Sequence, residues 1–211
     1  MATVISPPEE RMVLHNVSWQ TYERILEEHL DSSAPRFTYD NGDLEIMTLS
    51  AEHEWYNRLI SDLAKLLARD LRIDILDLGS TTFKREAKRR GFEPDTCFYV
   101  SRIGEVRGKK RLNLEVDPPP DIVVEIAVTE PSISKFPICA DFGVPEIWSY
   151  DGRRLQMYHL AGAEYVEVPA SIALPQLEAE QLGEFLELGK TMDSVTWPDE
   201  VLHRFHKKNS G

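Results

Sequence analysis

The chain has 211 residues, 42% of them hydrophobic and 28% charged, which is enough for one globular domain with a sizeable core. Its 24 Lys and Arg against 36 Asp and Glu give a net charge of −12, which weighs against nucleic acid because phosphates repel an acidic surface. No run nears the ~18 apolar residues of a membrane span, no signal-peptide pattern opens the chain, and Cys97 and Cys139 are too few for a disulfide framework or a four-ligand zinc site. A cytoplasmic protein without membrane attachment is expected.

Residues 1–14 are expected to be a flexible N-terminal segment, 15–190 the folded domain and 191–211 a helical tail. Ser18 followed by Trp19, Tyr22, Ile25, Leu26 and Leu30 predicts a capped amphipathic helix, since those apolar residues share one face at period 3.6. Strands at 36–39 and 44–48 flank Asp40-Asn41-Gly42-Asp43, where Asn-Gly tolerates the positive φ of a tight hairpin turn. Ser50 caps a long helix over 51–71, with Glu52 and Glu54 at its positive end and Trp55, Leu59, Leu63, Leu66 and Leu67 as its stripe. The pattern then turns β at 73–78, 81–84 and 96–100, before a basic loop containing Gly104 and Gly108. Pro118-Pro119-Pro120 leads into the most strand-like run, 121–128. Pro137 opens a short helix ending at Gly143. Strands follow at 146–150, 155–160 and more weakly at 165–168, and the tail from Glu180 is mostly helical. This order predicts an α/β domain around one mixed sheet.

Phosphate-binding glycine loops, G-x-S-x-G, H-E-x-x-H and CxxC are all absent. Cys97 and Cys139 read as core thiols, and His203 and His206 as a surface helix without a third ligand. Carboxylates remain. Glu93-Pro94-Asp95 sets an acid at the mouth of a strand, and Asp121 and Glu125, four apart, share one face of another. Glu125 lies among Val123, Val124, Ile126 and Val128, where an unpaired carboxylate costs several kcal/mol. One reading makes Asp95 and Glu125 hard-oxygen ligands of a divalent metal, with Lys135 reaching the same site. The other has Pro-Asp simply entering a strand and the buried acid paired with an arginine.

From Lys84 to Arg111 ten basic residues face four acids, a local charge of +6 inside an acidic chain. Such a band is either a plain solvated face or a contact for a nucleic-acid backbone. Lys84, Arg85, Lys88, Arg89, Arg90, Lys109 and Lys110 are its candidate phosphate-binding residues.

Seven runs appear in order: Tyr39 to Met47 (YDNGDLEIM), Glu52-His53-Glu54, Leu78 to Thr82, Glu93-Pro94-Asp95, Pro119 to Ile126 (PPDIVVEI), Lys135 to Ile138 and Gly143 to Trp148. Together they resemble the Uma-two family of restriction-endonuclease-like proteins, within the PD-(D/E)XK nuclease superfamily, over roughly residues 15–190. The resemblance implies a restriction-endonuclease-like core, a central mixed β-sheet flanked by helices. It also implies that Asp95 and Glu125 hold Mg²⁺ (or Mn²⁺) while a lysine positions or activates water. Glu52 or His53 matches the polar helix position often found beside such sites, and Asp121 is either a supporting acceptor or a strand cap. The chain departs from the pattern at Ala127, where the E-x-K lysine is missing and Lys135 is the natural substitute, and at Cys139, where an aromatic residue is expected. The implied function is a Mg²⁺-dependent endonuclease hydrolysing DNA phosphodiesters, with a possible homodimer. A non-catalytic nuclease-fold scaffold or nucleic-acid-binding dimer is the alternative, and hydrolysis of RNA or a nucleotide a third.

Overall fold

The structure, a computed structural model, describes residues 9–29 and 34–209. Residues 1–8, most of the segment expected to be flexible, and Leu30 of the first apolar stripe lie outside them.

Strand β1 (Glu10–Leu14) precedes helix α1 (Trp19–Glu28), whose cap Ser18 accepts a hydrogen bond from Thr21 N at 3.1 Å. The hairpin β2 (Arg36–Asp40) and β3 (Asp43–Thr48) turns through Asn41 and Gly42 at φ of 52° and 110°, the left-handed conformations that Asn-Gly tolerates. Helix α2 (Ala51–Asp70) follows, capped by Ser50. The short strands β4 (Leu76–Asp77), β5 (Phe83–Arg85) and β6 (Arg90–Phe92) lead to β7 (Thr96–Tyr99) and one turn of helix, α3 (Ile103–Val106). Then come β8 (Ile122–Ile126), α4 (Phe136–Phe142), β9 (Glu146–Tyr150), β10 (Leu155–Ala161), β11 (Glu164–Val168), α5 (Ala179–Gly189) and α6 (Trp197–Asn209).

The class is the expected one, α/β with a mixed sheet flanked by helices, but the strands divide between two sheets. Five antiparallel strands form one, in the order β1-β3-β2-β6-β5; the other runs β11-β10-β9-β8-β7-β4, and its β8–β9 pair is parallel. Strand period 2 sorts the core. Ile122, Val124 and Ile126 of β8 meet α2, α5 and α6, while Val123 joins Cys97, Ile147 and the α4 residues Ile138, Cys139 and Phe142 on the other face. Phe83 and Phe92 of the five-stranded sheet close that second core, so the two sheets share it. Large side chains such as Trp148 and Phe98 are fully buried, each contributing roughly 1.5–3 kcal/mol of apolar burial. Both cysteines are buried free thiols, as expected of core residues.

Two strands were not legible in the sequence. β1 falls in the segment expected to be flexible, because Glu-Arg-Met-Val-Leu shows no apolar alternation; its backbone pairs with β3 nonetheless. β6 contains Gly91, a residue that weakens a strand pattern. Only glycine fits, because a Cβ there would lie 2.3 Å from the Tyr22 hydroxyl. Conversely, the strand expected over 73–78 shrinks to the two residues of β4. Among the described residues no helix is long and apolar enough to cross a membrane.

Candidate active site

Asp95 stands where the chain enters β7, directly against the C-terminal half of β8. Its N–H donates to Val124 O at 3.2 Å, and its Oδ2 accepts from Ile126 N at 2.7 Å. Antiparallel pairing of Thr96 with Val124 therefore carries Asp95 to the stretch of β8 that bears Glu125. From the next layer, α2 sends two side chains one turn apart. His53 Nε2 meets Asp95 Oδ1 at 2.8 Å, and Asn57 Nδ2 donates to the Asp95 carbonyl at 3.0 Å. Ser50 starts the helix so that His53 comes first, its Oγ accepting from His53 N at 3.0 Å.

The other ring nitrogen of His53, Nδ1, lies 2.5 Å from Glu9 Oε1. The ring is thus clamped between two carboxylates with 1% of its side chain exposed. Burial alone would lower its pKa, but hydrogen bonds and charge from Asp95 and Glu9 outweigh that and raise it to about 9. His53 is an imidazolium at neutral pH. Burial would raise the Asp95 carboxyl, yet the charges of Lys135 and His53 and the bond from Ile126 N hold it below the usual carboxylate range.

Glu125 has the parity of Val123 and points away from the α2 core. Its Oε2 takes the ammonium of Lys135 at 2.7 Å, and Lys135 Nζ also donates to Glu93 O at 2.9 Å. Lys135 stands at the start of α4, within reach of Glu125 although ten residues away in sequence. Burial, aided by the negative charge of Asp95, pushes the Glu125 carboxyl up against the pull of Lys135. Glu125 Oε1 is buried with no partner among the described residues. The loop leading to Lys135 is tied down from the five-stranded sheet. Glu45 accepts from Ser132 N at 2.7 Å and from Arg11 Nη1 at 3.1 Å, while Thr129 donates to Glu9.

A cleft of about 590 Å³ opens beside Asp95, lined also by Arg36, Asn57, Arg58, Asp77 and Thr96; Glu125 and Lys135 do not line it. Arg36 is 5% exposed and its Nε, like Asn57 Oδ1, is buried without a partner among the described residues. Asp77 is fully engaged, accepting from Ser61 Oγ, from Gly79 N at 2.9 Å and from Thr96 Oγ1 at 2.9 Å.

Asp95, Glu125, Lys135 and His53 are thus brought together from β7, β8, α4 and α2. Other candidates fall elsewhere. Glu52 is exposed and accepts from the Tyr56 hydroxyl at 2.8 Å. Asp121 sits at the far end of β8, about 13 Å along the strand from Glu125, and caps the end of β7 by accepting from Val100 N at 2.7 Å and Ser101 N at 3.0 Å. The basic band is largely neutralised. Lys84 pairs with Glu23, Lys88 with Asp141, Arg90 with Asp40 and Lys109 with Asp117, while Arg85 donates to Leu114 O. Arg89 and Lys110 pair with no acid among the described residues, and none of the band lines the cleft. Glu9, Asn57, Arg36 and Asp77 carried no obvious sequence signal. Asn57 alone was findable, four residues after His53 and hence on the same helix face.

Mg²⁺ is commonly held by one or two carboxylates, its remaining positions filled by water and substrate phosphates. Asp95 and Glu125 fit that donor chemistry, and Glu125 Oε1 is a hard oxygen without a partner among the described residues. Among the described residues no group of three or more His, Cys, Asp and Glu is arranged to hold a metal ion.

Comparison with known proteins bears on the family and the fold. No curated protein matches the chain. A crystal structure of a putative nuclease belonging to DUF820 from Anabaena variabilis ATCC 29413 shares the fold, with a TM-score of 0.50 at 17% identity, covering 76% of this chain and 98% of that one. The Uma2 family, described as putative restriction endonuclease, matches residues 19–193, from the first turn of α1 to the loop before α6. With most of its length inside that match, and with the fold that match implies, the chain belongs to the Uma2 family.

Proposed function

We propose that the chain is a Mg²⁺- or Mn²⁺-dependent endonuclease that hydrolyses DNA phosphodiester bonds, with Asp95 and Glu125 as metal ligands and Lys135 as the cationic partner at the reacting phosphate. The observation that carries this reading is the buried, unpartnered Oε1 of Glu125 next to the ionised Asp95. A bound divalent ion lowers the pKa of a water and offsets charge on the phosphate. The protein's own residues do the rest. His53, as imidazolium, keeps Asp95 ionised and fixes its rotamer, and Asn57 anchors the backbone that carries it. Arg36 offers an unpaired guanidinium nitrogen at the cleft, suited to a phosphate oxygen. Water attacks phosphorus and gives up one proton to solvent, the P–O bond to the leaving oxygen breaks, and that oxygen takes up one proton from solvent. Cutting both strands of a duplex calls for two such sites, so a homodimer belongs to this proposal, and light scattering after gel filtration measures it.

One observation favours a non-catalytic scaffold instead. Both oxygens of Asp95 and one of Glu125 are already taken by protein donors. Calorimetric titration with Mn²⁺ and Mg²⁺ separates the two readings. Binding that vanishes in Asp95→Ala/Glu125→Ala, with DNA cleavage falling by roughly 10³-fold in either single variant, supports the nuclease. No metal binding together with undiminished cleavage in Glu125→Ala overturns the assignment.

A further inference from the structure

A second cleft, about 610 Å³, lies on the outer face of α2 where α5 and the start of α6 pack against it. It adjoins the first, since Arg58 lines both. Arg58, Lys65 and Arg69 line it along α2, with Asp62 on the turn between the first two, Lys190 faces them from the end of α5, and Asp62 is the only acid among its described lining residues. In a chain of net charge −12 this groove is a cationic strip. Lys190 is tied to Glu187 and Gly152 O and lies over the Tyr56 and Tyr150 rings, but the three cations of α2 are loosely held. Arg69 has no acid partner among the described residues, Arg58 pairs only with Glu54 at the exposed i,i+4 spacing, and Lys65 reaches Asp62 and Asp77 at 3.4 Å. Exposed pairs of this kind contribute little and yield readily to a phosphate. Trp55, 43% exposed and the one tryptophan of α2, lines this second cleft together with Arg58.

We propose that this groove binds single-stranded DNA, as the path of a strand leaving the Asp95 cleft. The inference rests on the nuclease reading for its choice of DNA and adds to it where the strand runs and in what state. A backbone passing Arg36 and Arg58 continues along Lys65 and Arg69 with its phosphates on the rim. Trp55 offers a ring face to a base, which only an unpaired base can meet because stacking in a duplex hides it. The spacing of the cations by whole helical turns keeps them on one face, as a tracked backbone requires. The basic band at 84–111, by contrast, is spent mostly on internal ion pairs and lines neither cleft.

The test uses the full chain in EDTA, with a fluorescein-labelled oligothymidylate read by anisotropy. Trp55→Ala is expected to weaken binding by about tenfold. The triple variant Arg58→Ala/Lys65→Ala/Arg69→Ala is expected to flatten the salt dependence by about two ions, at ~0.7 per lost contact. Lys84→Ala/Lys88→Ala/Lys109→Ala should bind like the parent. All substituted positions are surface sites, and unchanged melting curves confirm intact folds. Unchanged affinity in the Trp55 and triple variants, a loss confined to the band variant, or tighter binding of duplex or of oligouridylate overturns the proposal. Cleavage in Mg²⁺ is scored separately. If the parent cuts DNA while the groove variants bind as before, the groove fails and the nuclease stands. If Trp55-dependent binding occurs without any cleavage, the nuclease reading fails and the groove stands.

Discussion

Replacing Lys135 by Met removes a buried ammonium and leaves its partners behind. In the parent, Nζ holds Glu125 Oε2 at 2.7 Å and Glu93 O at 2.9 Å, with Lys135 only 6% exposed. Met fills most of the space, so the loss is electrostatic and not a cavity. Glu125, with one oxygen already unpartnered, is left with none paired. Removing one partner of a buried ion pair costs about 3–5 kcal/mol, a large part of the ~5–15 kcal/mol that holds a domain together. At about 2–4 °C per kcal/mol for a chain of this size, Tm should drop by roughly 10 °C at pH 8 without metal. The loss must depend on pH. Burial already raises the Glu125 pKa, and deleting Lys135 raises it further, so the native state holds a proton that the unfolded state has released. Stability of the variant therefore falls as pH rises above the ordinary glutamate range, and the deficit shrinks at pH 5.5. Lys135→Met/Glu125→Gln, which removes the stranded charge, should recover most of the loss at pH 8. Thermal melts of the three proteins at both pH values, followed by circular dichroism, measure this. An equal deficit at pH 5.5 and 8, or a double variant as unstable as the single one, refutes the ion-pair account.

His53 supplies a pH prediction of its own. Its folded pKa of about 9 exceeds the model-peptide value of 6.5, so its stabilisation is complete below pH 6.5 and is lost as pH rises through 9. That amounts to about 3 kcal/mol across the window, read from urea midpoints in EDTA, and a His53→Gln protein should show a much flatter profile there. Ser50→Ala removes the α2 cap and should cost about 1 kcal/mol by chemical denaturation; a loss near zero would mean the helix start is fixed by packing alone. Gly91→Ala forces a methyl to 2.3 Å from the Tyr22 hydroxyl and should cost roughly 1–3 kcal/mol, with Tyr22→Phe/Gly91→Ala less affected than Gly91→Ala.

Local physics made much of the fold legible. The apolar period of α1 and α2, the serine caps, the Asn-Gly hairpin and the Pro137 to Gly143 helix all depend on residues within a few positions of each other, and each appears where those residues lie. β1 and β6 were hidden because their strand character comes from partners, β3 for one and β2 and β5 for the other. The family runs likewise drew attention to Asp95, Glu125, Lys135 and His53 through short patterns within the chain.

What only the tertiary structure decided is how those groups meet. Asp95 and His53 are 42 residues apart in sequence yet 2.8 Å apart in space, and Glu9 closes the histidine from just before β1, an edge strand that no periodicity announces. The basic run told the same lesson in reverse. Its charge was plain in the sequence, but whether a basic side chain is free for a phosphate depends on which acid the fold sets beside it, and here Glu23, Asp141 and Asp40 arrive from distant elements. Charges interact through space and not along the chain, so composition fixes how many there are while the fold alone determines which remain unpaired.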